Sequence, residues 1–303
     1  MFLLAVSFSI SLVSFIVFQK LQSFHNDAKA LERDRFKASY ADCYLEAVNL
    51  DMSQWIWLPT FLKVYIIGVV ETIYITLCQR GLFEWSSTLT KNENYVDTLV
   101  NEHTDNEGSI AVITGGDSGI GLEITKGLLG AGFHLDLTSF KSVQNFVRQV
   151  QAKVPKKNIQ LLINNAGIMN APYKMTEDGF ESQCQTNFLS PVLLTRSLLP
   201  YISSKTGKVL FASSSTLYTV NNLNLNVPLQ KYGLNGLEHY AYSKACIAQL
   251  VTRLAKTTPD SRDSGSYWAN GRKQKLPNVL INGKDRNIEA LWKDTMEKIG
   301  LKK

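Results

Sequence analysis

Between Ser109 and Gly121 the chain reads SIAVITGGDSGIG, and no other stretch of its 303 residues restricts the fold as strongly. A short apolar run of strand type, Ile110–Ile113, leads into Gly115, Gly116, Gly119 and Gly121. A helix-forming stretch follows to about Leu129, with Gly130-Ala131-Gly132 as its stop. Strand, glycine turn and helix in that order gather free backbone N–H groups and the positive end of a helix at one point. A phosphate can sit there, and the glycines let the backbone approach it. Such a loop is often only a turn, so the rest of the chain must decide what it does.

Composition narrows the choice. With 45% hydrophobic and 19% charged residues the chain can bury a large core, and it is no collagen, disordered tail or disulfide scaffold. Cys43, Cys78, Cys184 and Cys246 are scattered, with no CxxC and no Cys/His cluster, so neither disulfides nor a metal site is expected. The net charge of +6 arises after residue 108, where 24 basic residues face 13 acidic ones. No basic run exceeds Arg272-Lys273, so this reads as a solvated surface, with no nucleic acid expected as partner.

Downstream, Ile159–Ile163 is a second buried strand, ending in Asn164-Asn165-Ala166-Gly167. A third strand, Lys208–Ala212, runs into Ser213-Ser214-Ser215. Tyr240 and Lys244 then open a helix at i,i+4 spacing, which puts both side chains on one face a turn apart. The pairing suits alcohol–carbonyl chemistry. Hydride transfer at a carbinol carbon needs a proton moved at its oxygen, and a phenol of pKa about 10 does this poorly near neutrality. A neighbouring ammonium favours the phenolate and brings it into range.

The Thr-Gly-x-x-x-Gly-Ile-Gly form of residues 114–121 resembles the short-chain dehydrogenase/reductase superfamily, as do Asn164–Gly167 and the Tyr-x-x-x-Lys of residues 240–244. The spacing from Asn164 to Asn187 and the segment Glu177–Glu181 are similar to its retinol-dehydrogenase-like branch. The resemblance implies a Rossmann-like fold, α/β with a doubly wound parallel sheet. It also implies an NAD or NADP cofactor, with branch analogy inclining toward NADP. It carries over Tyr240 as general acid/base, Lys244 as the group that lowers its pKa and holds the ribose, Ser214 as the substrate-orienting hydroxyl, and Asn187 as the helix asparagine. Cofactor contacts would come from Thr114, Gly115, Ser118, Gly119, Ile120, Gly121, Asp136, Leu137, Asn164, Ala166 and Gly167, together with Tyr240 and Lys244. Tyr242, with no lysine four residues on, reads as packing or pocket wall.

Two intervals are shorter than the family's. Only 15 positions separate Gly121 from Asp136, too few for the missing crossovers, so Phe133–Leu137 reads as the second strand fused to the third. The lost residues include the side chain that would choose NAD or NADP. After Lys256 the sixth strand is absent, Ser264–Trp268 resembles the last strand, and Ala290–Leu301 the closing helix. The expected sheet is therefore truncated, with Ile110–Ile113 left as an edge.

The N-terminal part reads differently. Phe2–Phe18 is an uncharged run close to bilayer length, read as a signal anchor. Trp55–Cys78 is a longer apolar run broken by Pro59, Lys63 and Glu71, compatible with a second span, an interfacial helix or a buried helix. The organisation expected is a membrane-anchor region with two apolar helices over 1–83, an acidic linker over 84–108 and an incomplete dehydrogenase domain over 109–303. These readings imply a membrane protein, by branch analogy of the endoplasmic reticulum, with its domain on the cytoplasmic side. The implied activity is NAD(P)-dependent interconversion of an apolar alcohol and its carbonyl, such as a retinoid, steroid or polyprenol, in a possible homodimer. The alternative is a catalytically inactive membrane-tethered relic or splice form that acts at most as a binding protein.

Overall fold

The computed structural model describes residues 51–53, 55–79, 110–126, 135–221, 236–255, 264–269, 272–274, 276–277, 280 and 285–301. The run Phe2–Phe18, Cys43, the segment 84–108 and the residues from Gly130 to His134 lie outside these.

Three parallel strands form the main sheet: β1 (Ile110–Ile113), β2 (Ile159–Asn164) and β3 (Lys208–Phe211), in spatial order β1-β2-β3. Register pairs Val112 with Leu162 and Leu162 with Val209, so these three point to one face. That face is buried: Leu162 is fully enclosed, and it packs in a core with Val143, Phe146, Val147 and Val150 of α3 (Phe140–Lys153). Ala111, Ile163 and Leu210 share the other face, where Ala111 and Leu210 are exposed. Parallel sheets are normally covered on both faces. Among the described residues this one is covered well on one.

Helix α2 (Gly119–Lys126) follows the glycine loop, as expected. The expected strand over 133–137 does not form in its described part. The Asp136 carboxylate instead accepts the Thr138 N–H at 2.8 Å and the Thr138 hydroxyl at 2.7 Å, making a tight turn. The Ser139 side chain then accepts the Ser142 N–H as the N-cap of α3. A short chain with local cap partners has no reason to extend toward an edge it cannot reach.

Helix α4 runs as Ser182–Cys184, a π-helical turn Gln185–Leu189, and Ser190–Leu198. The long α5 (Gly236–Ala255) and the closing α6 (Asp285–Lys298) complete the layer around the core, through Cys246, Ile247 and Leu250 of α5 and Leu291 and Met296 of α6. Tyr267–Ala269 (β4) is a strand, but it pairs antiparallel with Arg272–Gln274 (β5) in a separate ribbon instead of extending the main sheet. Among the described residues, no neighbouring strand offers β4 a parallel ladder.

The second apolar run forms α1 (Thr60–Gln79), whose first turn starts on the Pro59 carbonyl, which accepts from Leu62 and Lys63 N–H groups. No helix among the described residues is long and apolar enough to cross a membrane. Instead Val64, Ile67 and Val70 of α1 join Leu237, Ala241, Ala245 and Ala248 of α5 in a second core cluster. The alanines, spaced by helical turns, let the two helices approach closely. Lys63, one of the charges that interrupt the run, is fully buried on this inner side.

Candidate active site

The glycine loop is built as a cradle. Gly115 has φ +66° and Gly119 φ +54°, the left-handed region that glycine occupies without penalty. A Cβ on Gly121 would stand 2.0 Å from the Gly115 carbonyl oxygen and 2.4 Å from the Asn165 amide nitrogen, so α2 passes too close to the loop for any side chain. Thr114, itself buried, joins the loop to β2: its hydroxyl accepts the N–H groups of Asn165 (3.1 Å) and Ala166 (3.0 Å), while its own N–H donates to Ile163 O. Ser118, Gly119 and Ile120 lie exposed at the start of α2, with Ile120 77% accessible. An open helix start over a side-chain-free cradle fits a dinucleotide pyrophosphate.

The other predicted cofactor contacts divide. Ala166 and Gly167 lie at the end of β2 beside the catalytic helices, and a Cβ on Gly167 would meet Asn187 Oδ1 at 3.1 Å and Lys244 Nζ at 3.4 Å. Asn164 serves the sheet: its amide donates to Thr195 Oγ1 (3.0 Å) and Leu210 O (3.5 Å). Leu137 is buried in the core, its carbonyl accepting from Ser190. Asp136 is exposed, but its carboxylate already serves the turn before α3.

Asn187 lies within the π turn of α4, a local widening that often marks functional sites. Its Oδ1 accepts the Ile168 N–H and its amide donates to Ile168 O, both at 2.9 Å, and also to Ser243 Oγ at 3.0 Å. The Ser243 hydroxyl donates to Tyr240 O at 2.7 Å. Asn187 thus fixes the β2 loop against the first turn of the Tyr240 helix. Ser243 was not evident from sequence, although its place between Tyr240 and Lys244 is a signal that could have found it.

Lys244 is buried, donates to Ala212 O at 2.8 Å and places its Nζ 5.5 Å from the centre of the Tyr240 ring. Burial brings its ammonium down to about 8. Burial also holds the Tyr240 phenol above its ordinary value, opposed by a hydrogen bond with Ser214. The ammonium, itself desolvated, is turned to the end of β3, and the serine is the group that favours the phenolate. Ser214 also caps the 3-10 segment Ser215–Thr219, accepting the Thr216 N–H at 3.3 Å. Tyr242 packs against the second core cluster, and burial raises its phenol. The two described thiols, Cys184 and Cys246, are buried, and Cys246 is pushed up to about 12, so neither is a nucleophile.

Tyr240, Lys244, Ser214 and Asn187 therefore converge at the ends of β2 and β3 beside the glycine cradle at the end of β1, the place where parallel α/β sheets bind ligands. Residues 131–261 match the short chain dehydrogenase family model, and the curated relatives support the same superfamily. Among curated proteins its relatives support the retinol-dehydrogenase-like branch. Human retinol dehydrogenase 14 is 34% identical over 136 residues, covering 45% of this chain and 37% of that protein. A chloroplastic short-chain dehydrogenase of Brassica napus, TIC 32 A, is 36% identical over 208 residues, covering 53% of this chain and 64% of that protein. Polyprenol dehydrogenase of Danio rerio is 34% identical over 149 residues, covering 37% of this chain and 45% of that protein. The chain thus spans from about a third to somewhat under two thirds of the length of these relatives. A solved uncharacterised protein from Mycobacterium paratuberculosis shares the fold, with a TM-score of 0.53 at 23% identity over 64% of this chain and 96% of that one.

Proposed function

We propose that this chain carries the site of an NAD(P)-dependent oxidoreductase that interconverts an apolar alcohol and its carbonyl. The observation that carries the reading is the assembled set of Tyr240, Ser214, Lys244 and Asn187 beside the Gly115–Gly121 cradle. When bound, the nicotinamide supplies or takes the hydride. Tyr240 moves the proton at the substrate oxygen through its phenol, and Ser214, hydrogen-bonded to that phenol, orients the same oxygen. Lys244, retained near the ring, holds the ribose and supplies positive charge. Gly121 and the exposed start of α2 hold the pyrophosphate, with NADP preferred by branch analogy.

An apolar substrate of retinoid, steroid or polyprenol type accords with the named relatives and with a chain that meets lipid. The outer side of α1 and the loop before it present Ile56, Trp57, Leu62, Tyr65 and Val69, with Ile56 and Trp57 over 70% exposed. The uncharged run Phe2–Phe18 stands upstream. Together they support contact with a membrane surface, proposed here as the cytoplasmic face of the endoplasmic reticulum.

A second reading, an inactive binding form, is favoured by one observation: β1 is an edge strand among the described residues, so one flank of the cradle has no neighbouring strand. Fluorescence titration of the full chain with NADPH and NADH, followed by turnover of long-chain alcohols, separates the two. Under the enzyme reading, binding saturates, and Tyr240→Phe loses about 10²–10⁴ of turnover with cofactor affinity unchanged. Absence of binding to either cofactor up to ~1 mM, the upper end of the usual KM range, selects the inactive form.

A further inference from the structure

The segment that follows the catalytic serine is held from outside the dehydrogenase core. Met52 N–H donates to Tyr218 O at 3.0 Å. Lys63, fully buried, donates through Nζ to Thr219 O at 3.4 Å and to the Asn221 side chain. Glu71, two helical turns after Lys63 on α1, faces Ser215, whose hydroxyl favours its carboxylate form. Between these contacts, Val64, Ile67 and Val70 pack with Leu217, Tyr218 and Val220 in one cluster. Residues 52–71 therefore grip the stretch 215–221 at both ends and along its middle.

This stretch begins one residue after Ser214, whose hydroxyl meets Tyr240. Ser214 is also its N-cap, so a shift of the 3-10 segment moves the serine directly. Tyr267 of β4 packs edge-on to Tyr218 at 6.3 Å between ring centres. Burying a lysine whole is costly unless its donors are met. Here they meet a backbone carbonyl and an amide of the catalytic segment. A helix whose only role was anchorage would have no use for either polar contact.

We infer that Glu71 and Lys63 are positioning residues: α1 is a clamp that sets Ser214 against Tyr240 by fixing residues 215–221 at both ends. The clamp rests on the proposed oxidoreductase site for its purpose, but its geometry can be tested without turnover. The full chain is prepared with 3-fluorotyrosine at position 240, as parent, Glu71→Leu, Glu71→Gln, Lys63→Met and Ser214→Ala. Amide hydrogen exchange is followed in the peptide covering 213–221, with the β2 peptide covering 159–164 as the control for global folding.

In Glu71→Leu and Lys63→Met, exchange in 213–221 should rise by about three- to tenfold, the scale expected for loss of one or two hydrogen bonds. The β2 control should be unchanged. The ¹⁹F resonance at 240 should move toward its position in Ser214→Ala. Glu71→Gln, which keeps an acceptor facing Ser215, should restore both signals. Parent-like exchange and resonance in Glu71→Leu and Lys63→Met would overturn the clamp, and so would equal rises in 213–221 and 159–164. Failure of the parent to bind NADPH, with these shifts present, would remove the enzyme reading and leave the clamp standing.

Discussion

Replacing Gly121 by alanine tests the cradle with the smallest possible addition. The new methyl would lie 2.0 Å from Gly115 O, whereas real Cβ contacts do not fall under 3.0 Å, so the loop and α2 must separate by about 1 Å. Neither side gives easily. A Cβ on Gly115 would already be 3.0 Å from Ala166 Cα, so the loop is backed closely by the end of β2. Its carbonyl accepts from the Asn165 amide, whose nitrogen would itself stand 2.4 Å from the new methyl. Overpacking of this kind costs about 1–3 kcal/mol. For a domain of this size that corresponds to a melting temperature lower by about 2–12 °C. Differential scanning fluorimetry of the full chain reads this with no cofactor present. Where the parent binds NADPH, affinity should fall by about 5- to 150-fold, the same energy expressed as a dissociation constant. An alanine variant with parental melting and parental NADPH affinity would refute the close approach of loop and helix.

The buried Lys244 gives a pH signature. Its folded value of about 8 lies below the ordinary 10.5, so between these pH values the unfolded chain holds a proton that the folded chain has lost. Stability should therefore rise with pH from about 8 to 10 in the parent relative to Lys244→Met, with no such difference in slope below pH 7. Melting curves of the two proteins across pH 6–10 check this, and parallel profiles would refute the burial. For the lipid contact, vesicles of brominated phosphatidylcholine should quench Trp57, and Trp57→Phe should remove the quenched component. Unchanged quenching in Trp57→Phe would place the membrane elsewhere.

Much of the candidate site was legible because the proposed chemistry depends on local spacing. Tyr240 and Lys244 share a helix, and Thr114, Gly115, Gly119 and Gly121 share one loop, so a linear reading captures their relations. Asn187 was legible by resemblance, but the π turn that carries it and the Ser243 contact that uses it are tertiary facts. Asp136 shows a different limit, since the strand expected around it is a turn. Its place in the chain suggested an adenine contact, yet two hydrogen bonds to Thr138 offered a nearer partner. Lys63 and Glu71 bear on the alternatives left open for the second apolar run. Read along the chain they interrupt a membrane-like run; read around the helix, at i and i+8 with Ile67 and Val70 between, they define a face meant for protein.

That face also bears on the shortened sheet. A parallel sheet gains stability from helices on both sides, and here Ala111 and Leu210 remain exposed on one of them. The chemistry-bearing ends of β2 and β3 nevertheless stay ordered, because their support does not come from that side. Asn164 ties β2 to α4 through Thr195, Lys244 ties α5 to the end of β3 through Ala212, and α1 closes the far side of α5. Among the described residues, the outer flank of β1 has no neighbouring strand. That flank therefore lies on the proposed cofactor side of the site and not on the proposed proton-transfer side. If α1 is the clamp inferred here, the region upstream of the cradle belongs to the catalytic half, and the two halves can be tested apart.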